Sequence, residues 1–252
     1  MNCLILAAGL GTRLRELSES KPLTPVAGVP LIEHVVRRAA AGGASRFVVV
    51  TGHEADRLER FLADLATRLQ LSIEFARVDD WTLPNGYSVL AGSARIEGDY
   101  LLSMSDHLFD PAIVCALAAG VPPEDLILAI DSNVSGELID LDDATKVAVL
   151  PDGTIDRIGK EIEHYNAVDT GVFMAGPGLA MAIRAEIDAG GAGSLSAGVQ
   201  RLARAGRART MDIGSARWID VDDARMLGLA EALLAGEAAM AGAASPSCEG
   251  RS

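Results

Sequence analysis

Met1-Asn2-Cys3-Leu4-Ile5-Leu6-Ala7-Ala8-Gly9-Leu10-Gly11-Thr12-Arg13-Leu14, running on to Lys21-Pro22-Leu23, is the stretch whose reading decides how this chain folds. An apolar, strand-like run enters a glycine loop, and the loop carries one arginine and, after a short spacer, one lysine. Gly9 and Gly11 let backbone N–H groups approach a ligand where a Cβ would obstruct, so the loop suits negatively charged oxygens. Arg13 and Lys21 add fixed positive charge. Cations at such a place stabilise a departing pyrophosphate more than the intact triphosphate, which makes the loop a candidate for catalysis as well as binding.

Two other glycine loops do not fit. The dinucleotide fingerprint needs a third glycine, which Gly9-Leu10-Gly11-Thr12-Arg13-Leu14 lacks. The P-loop needs four residues between its glycines and then Gly-Lys-Ser/Thr, whereas here one residue separates them and the lysine stands ten residues after Gly11, before a proline.

The segment resembles the signature of nucleotidyltransferases that join a nucleoside triphosphate to a sugar or alcohol phosphate and release pyrophosphate. Those enzymes carry Leu-Ala-Ala-Gly-x-Gly-Thr-Arg, a spacer and Lys-Pro-Leu, and each of these letters stands between Leu6 and Leu23. The resemblance implies that Arg13 and Lys21 bind the reacting phosphates and that Leu6, Ala7, Ala8, Gly9, Gly11 and Thr12 wall the nucleotide site. It also implies a single-domain, Rossmann-like, three-layer α/β/α fold over residues 1–240.

Outward from the loop, strand patterns at 3–7, 46–51 and 71–76 alternate with helical patterns at 30–41 and 55–69. This is βαβ logic and predicts a mixed, mostly parallel sheet. Ligands of such sheets bind beyond the carboxyl ends of the strands, where residues 9–13, Thr51-Gly52-His53 and Ser105-Asp106-His107 fall, so Thr51 and Gly52 join the nucleotide-site candidates. Residues 146–150 and 154–158 flank Pro151-Asp152-Gly153 and predict an inserted antiparallel β-hairpin. Strand patterns follow at 169–175 and 208–213, helical ones at 178–189 and 195–205, and a closing helix at about 223–241; residues 241–252 read as a disordered tail.

Composition narrows the class. With 35 acidic against 22 basic side chains, the net charge of −13 argues against nucleic acid and anionic lipid as partners. Anionic substrates must then be received by a local field from Arg13, Lys21, Lys146, Lys160 and a divalent metal. Three scattered cysteines make neither a disulfide framework nor a zinc site, and the apolar start is too short for a signal or a membrane span, so a cytoplasmic protein is expected. Any lipid-linked step that follows would fall to a separate membrane synthase. Oligomeric state, a homodimer included, stays open.

Asp106 follows the apolar run 100–104, and Asp220 and Asp222 follow Trp218 before the last helix. Carboxylates from separate loops suit Mg2+, which takes hard oxygen ligands and commonly keeps one or two carboxylates beside substrate phosphates. The competing readings are helix caps: Asp110 before Pro111 for one helix, Asp222 or Asp223 for the last. A Trp-x-Asp segment supplies the second metal carboxylate in the family resembled, which favours Asp220 with Asp222 close behind. Strand alternation would point the two to opposite faces unless the backbone bends. His107, with no second histidine at ligand spacing, reads as structural.

Trp81-Thr82-Leu83-Pro84-Asn85-Gly86-Tyr87-Ser88 reads as a loop with groups able to bond a base or ribose. Cytidylyltransferases acting on alcohol phosphates carry a similar Asn-Gly-x-Ser, and the resemblance makes Asn85, Gly86 and Ser88 nucleotide-site candidates with CTP as donor. Lys146, Lys160 and the run Tyr165-Asn166-Ala167-Val168-Asp169-Thr170-Gly171, with Met104-Ser105-Asp106-His107, narrow the resemblance to inositol-1-phosphate cytidylyltransferases. Lys146 and Lys160 would meet the acceptor phosphate, and Asp169 and Thr170 the ring hydroxyls. Hexose 1-phosphates and phosphocholine are the alternative acceptors, the latter disfavoured by scarce aromatics for a cage around a quaternary ammonium. A non-catalytic nucleotide-binding protein is the reading from outside the class; the presence of Arg13, Lys21 and the carboxylates weighs against it.

Overall fold

A computed structural model describes residues 1–11, 13, 19–120 and 125–243. The opening run is strand β1 (Asn2–Ala7), buried on both faces. Its alternate residues enter two different cores, Cys3, Ile5 and Ala7 on one side and Leu4 and Leu6 on the other. Burial of both faces is why the run is apolar without a break.

After a tight hairpin of β2 (Pro25–Val26) and β3 (Val29–Pro30), the chain forms α1 (Leu31–Ala41), β4 (Arg46–Thr51), α2 (Ala55–Leu69), β5 (Ser72–Arg77), α3 (Asn85–Ser93), β6 (Tyr100–Met104), β7 (His107–Phe109) and α4 (Pro111–Ala119). Then come β8 (Leu126–Asp131), β9 (Lys146–Val149), β10 (Ile155–Gly159), β11 (Ala167–Ala175), α5 (Pro177–Asp188), α6 (Leu195–Arg204), β12 (Ala208–Asp212), β13 (Trp218–Asp220) and α7 (Ala224–Ala243). Val35, Leu58, Leu62, Ile113 and Met226 bring α1, α2, α4 and α7 onto one face of the sheet; Val89, Leu179, Ile183, Val199 and Leu202 bring α3, α5 and α6 onto the other. The result is the expected three-layer α/β/α sandwich.

In the nine-stranded sheet β6, β1, β4 and β5 are parallel neighbours. β11 lies antiparallel to β6, β8 and β9, and β12 runs parallel to β8. Thus β1, β4, β5, β6, β8, β9 and β12 share one direction and only β10 and β11 oppose it, so the sheet is mixed and mostly parallel. β9 and β10 form the hairpin around Pro151-Asp152-Gly153, with Gly153 at φ +82°.

Three readings change. The segment read as a loop at 81–88 becomes the first turn of α3 from Asn85, because Pro84 ends the preceding extension and presets the helix entry. Strand β8 was not foreseen, since its six-residue apolar run carries no alternation to mark it. The closing helix continues to Ala243, leaving 244–252 of the tail outside the described residues.

A separate two-stranded ladder positions the site. β7 and β13 pair antiparallel with His107 opposite Asp220, and the Val221 N–H donates to the Asp106 carbonyl at 3.0 Å. Two carboxylate-bearing segments more than a hundred residues apart are therefore held in register by backbone hydrogen bonds.

Candidate active site

Two hollows, of about 240 and 200 Å³, meet at Asn85, Met104 and Asp106 beyond the carboxyl ends of β1 and β6. The smaller is walled by Leu6, Ala8, Gly9 and Gly11 with Lys21, Trp81, Leu83 and Ser88. The larger is lined by Arg13, Asp143, Lys160, Asp169, Trp218, Asp220 and Asp222. Asp106 borders both.

The two glycines of the loop do different work. Nothing within 4 Å would oppose a Cβ on Gly9, which leaves its backbone open. Gly11, at φ +62°, is crossed by the Lys21 stem, and a Cβ there would stand 2.8 Å from Lys21 Cδ. The motif's second glycine thus makes room for the motif's lysine. Lys21 starts a short 3-10 turn through Pro22 to Leu23, and its side chain is only 8% exposed.

Lys21 Nζ donates to Asp106 Oδ2 at 2.5 Å, pairs with Asp222, and lies 3.9 Å from Asp220 Oδ1. Arg13 Nη2 donates to Asp143 and Asp222, each at 2.6 Å, and Lys160 Nζ donates to Asp143 at 2.6 Å. Burial alone would lower the lysine's pKa; Asp106, Asp220 and Asp222 outweigh it and hold the ammonium charged well above its ordinary range. Asp106 is likewise buried, yet Lys21 and His107 keep it well below the usual carboxylate range. Asp220 goes the other way, pushed up by burial and by the neighbouring charges of Asp106 and Asp222.

Asp220 Oδ1 is also a buried oxygen with no hydrogen-bond partner. Donor atoms of Asp106, His107 and Asp220 lie within 4.8 Å of one another, as do those of Asp143, Asp220 and Asp222. Hard oxygens with an unsatisfied buried lone pair fit a divalent cation. Asp220 and Asp222 do converge: β13 stops at Asp220, beyond it the strict alternation of a strand no longer applies, and both carboxylates lie beside Lys21. Asp223 takes the helix cap, accepting from the Met226 N–H at 2.7 Å, which frees Asp222 for the cations. Asp110 caps α4 through the Ala112 N–H at 2.8 Å, as the Asp-Pro pair suggested.

Asn85 borders both hollows, its Oδ1 accepting from the Leu195 N–H at 2.8 Å. Ser88 faces the smaller hollow one turn later.

Six expected site residues take other places. The Ala7 side chain enters the opposite core, since it alternates with Leu6 and Ala8. Thr51 is fully buried, donating to Glu59 at 2.6 Å. Gly52 makes space for Trp81, whose Cβ would be 2.7 Å from an added methyl. Gly86 packs against the Gly193 carbonyl on the back of α3. Thr170 is fully buried and donates to the Ala129 carbonyl at 2.8 Å, so it faces the sheet and not the larger hollow. Lys146 donates to the Lys160 carbonyl and lies over the Tyr165 ring, where it braces the turn that carries Lys160. Thr12 lies outside the described residues.

Asp143 was missed. It lies in the acidic run Asp140-Leu141-Asp142-Asp143, and nothing local distinguishes the one carboxylate that reaches Arg13 and Lys160. Those two cations and a hydrogen bond within the cluster outweigh its burial and hold it well below the usual range.

Asp169 lines the larger hollow, accepts from the Gly171 N–H at 2.7 Å, and is pushed up to about 6 by burial. A raised carboxyl pKa means the charged form is penalised in the fold. That penalty is absent below about pH 4, the unfolded value, and complete above about 6. Asp169→Asn, which keeps an acceptor for Gly171, is therefore expected to raise the melting temperature over wild type at pH 8 more than at pH 4. Equal shifts at both values in thermal melts would contradict this placement.

The family described as MobA-like NTP transferase domain matches residues 3–153. Among curated relatives, the "Bifunctional IPC transferase and DIPP synthase" of Rubrobacter xylanophilus is 33% identical over 171 residues, 68% of this chain and 37% of that protein. Its namesake from Archaeoglobus fulgidus is 30% identical over 174 residues, 69% and 32% of the two chains. The chain thus spans about a third of the length of these relatives. Among solved structures, the inositol-1-phosphate CTP transferase from T. maritima superposes with a TM-score of 0.81 at 25% identity, covering 91% of this chain and 93% of that one. A UDP-glucose pyrophosphorylase complexed with UDP-glucose reaches 0.73 at 18% identity over 94% and 98%, a likeness of fold.

Proposed function

Since the chain belongs to the MobA-like NTP transferase domain family, we propose that it is a Mg2+-dependent cytidylyltransferase joining CTP to inositol 1-phosphate, with CDP-inositol and pyrophosphate as products. The observation that carries the reading is the meeting of two hollows at Asp106, with Lys21 on one side and Arg13 and Lys160 on the other. Each hollow holds cations for a phosphate, as a two-substrate phosphate-to-phosphate reaction requires. The extended likeness to the T. maritima transferase supports the choice of CTP and inositol 1-phosphate.

The nucleotide lies in the smaller hollow, its phosphates against the Gly9 backbone and Lys21, its base and ribose beside Trp81, Asn85 and Ser88. The acceptor occupies the larger hollow, with Lys160 on its phosphate and Asp169 on ring hydroxyls. An acceptor phosphate oxygen attacks the α-phosphorus, a new P–O bond forms, and the bond to the β-phosphate oxygen breaks with its electron pair leaving on pyrophosphate. The attacking phosphate is already ionised near neutral pH, so orientation and cations suffice without a general base. Asp106, Asp220 and Asp222 would hold the Mg2+, which when bound neutralises charge on the reacting phosphates.

Among the described residues no helix is long and apolar enough to cross a membrane, and only the transferase part of the relatives' two-part name is assigned to this chain.

Pyrophosphate release with Mg2+, measured for CTP, UTP, GTP, ATP and dTTP against inositol 1-phosphate, phosphocholine, glucose 1-phosphate and mannose 1-phosphate, tests the reading. It predicts one strong response, at CTP with inositol 1-phosphate; a strong response elsewhere replaces the substrates, and none at all removes the activity. Lys160→Ala should raise the acceptor KM by about 10-fold with little change in the CTP KM. A change in the CTP KM alone would reverse the assignment of the two hollows.

A further inference from the structure

His107 lines the larger hollow beside Asp106 and the proposed chemistry leaves it without a task, yet several segments are shaped around it. Its Nδ1 lies 2.8 Å from Asp106 Oδ1, the pairing in which an imidazole N–H donates to a carboxylate oxygen. Its ring stacks on Trp218 at 5.8 Å between centroids and 15° between planes. Trp218 is itself fixed by donating Nε1–H to Asp131 at 3.0 Å. On the other edge, Gly171 sits at φ +74° where the β11 register shifts, and a Cβ there would stand 2.5 Å from His107 Cδ2. Three strands, β8, β11 and β13, thus hold one imidazole in one orientation.

A ring serving only to fill space would be satisfied by phenylalanine. The feature that needs an imidazole is the Nδ1–H bond, which takes one oxygen of Asp106 and so turns the other, Oδ2, toward Lys21. We propose that His107 is a positioning residue: through Nδ1–H it locks the rotation of the Asp106 carboxylate, presenting Oδ2 to the cation and the reacting phosphates. Partners of this kind, one bond removed from a ligand, are worth about 10–100-fold in metal affinity or activity.

Three variants of the full chain separate bonding from packing. Asn places its amide nitrogen near the Nδ1 position, Gln places it near Nε2, and Phe keeps the ring without a donor. For His107→Phe and His107→Gln the expected result is a fall of about 10–100-fold in kcat, with both KM values held within about 3-fold, and a comparable loss of Mn2+ affinity by EPR titration without substrates. His107→Asn should recover most of both. His107→Asn as impaired as His107→Phe, or His107→Phe equal to wild type, overturns the proposal. Should His107→Phe fail to fold in a thermal melt, the Asn and Gln pair decides it alone. The kinetic arm rests on the proposed function, the Mn2+ arm does not. An inactive wild-type chain that still shows the Asn-over-Gln order in Mn2+ binding would remove the function and keep His107 in its role.

Discussion

Asp106→Asn is expected to lower kcat by at least about 10²–10³-fold, with the chain still folded. Among the described residues Asp106 is the only carboxylate bordering both hollows, so it is placed to act on the phosphates of both substrates at once. The amide keeps the shape and can accept from His107, but it surrenders the charge that pairs with Lys21 and would hold the metal. Some stability should be lost with the carboxylate that Lys21 and His107 hold ionised, but the chain should stay folded because Lys21 retains Asp222 and Asp220. Steady-state kinetics beside far-UV circular dichroism checks both halves, and a folded variant turning over at near-normal rates would take Asp106 out of the chemistry.

Lys21→Met should remove turnover as well, and here the fold should feel the loss. The methionine keeps an apolar stem beneath Gly11 but leaves Asp106, Asp220 and Asp222 without their shared buried cation. Removing one partner from a buried ionic cluster costs about 3–5 kcal/mol. The lysine's raised pKa makes its stabilising contribution fully present below about pH 10, the unfolded value, and lost only above that as pH passes the higher folded value. Below that range the lysine stays charged, so between pH 8 and pH 5 the gap between variant and wild type should narrow only because the freed carboxylates take up protons as pH falls. Urea unfolding at pH 8 and pH 5 should show a larger deficit at pH 8; a deficit that grows toward pH 5 would contradict the cluster's electrostatics.

Most of the framework was legible because its signals are local. The unbroken apolar run of β1, the glycine loop after it and the alternation with α1 and α2 each follow from short-range pattern, and Pro151-Asp152-Gly153 marks its hairpin by turn chemistry. What escaped depends on distant partners. Gly11 reads as a phosphate glycine, but its missing Cβ is needed by a lysine ten residues on. Gly171 looks like an ordinary strand glycine until the His107 ring is seen against it. Asp222 was set against Asp220 by strand alternation, and only the end of β13 at Asp220 lets the two carboxylates come to one side. Asp143 is chosen from its acidic run solely by where Arg13 and Lys160 reach. Thr51, at the carboxyl end of β4, and Thr170, toward the amino end of the antiparallel β11, show the converse: a hydroxyl near the site is as readily spent on Glu59 or the Ala129 carbonyl as on a ligand.

The central step of the proposed reaction is transfer of the nucleotide's α-phosphorus to an acceptor phosphate across the Asp106 junction. Parallel incubations with [α-32P]CTP and [γ-32P]CTP, each with inositol 1-phosphate and Mg2+, separate the outcomes. The account predicts acceptor-dependent label in a CDP-alcohol from the α-labelled nucleotide and in pyrophosphate from the γ-labelled one, both lost in Asp106→Asn. Label passing from the γ-position to the acceptor, or no acceptor-dependent transfer from either nucleotide, would contradict it.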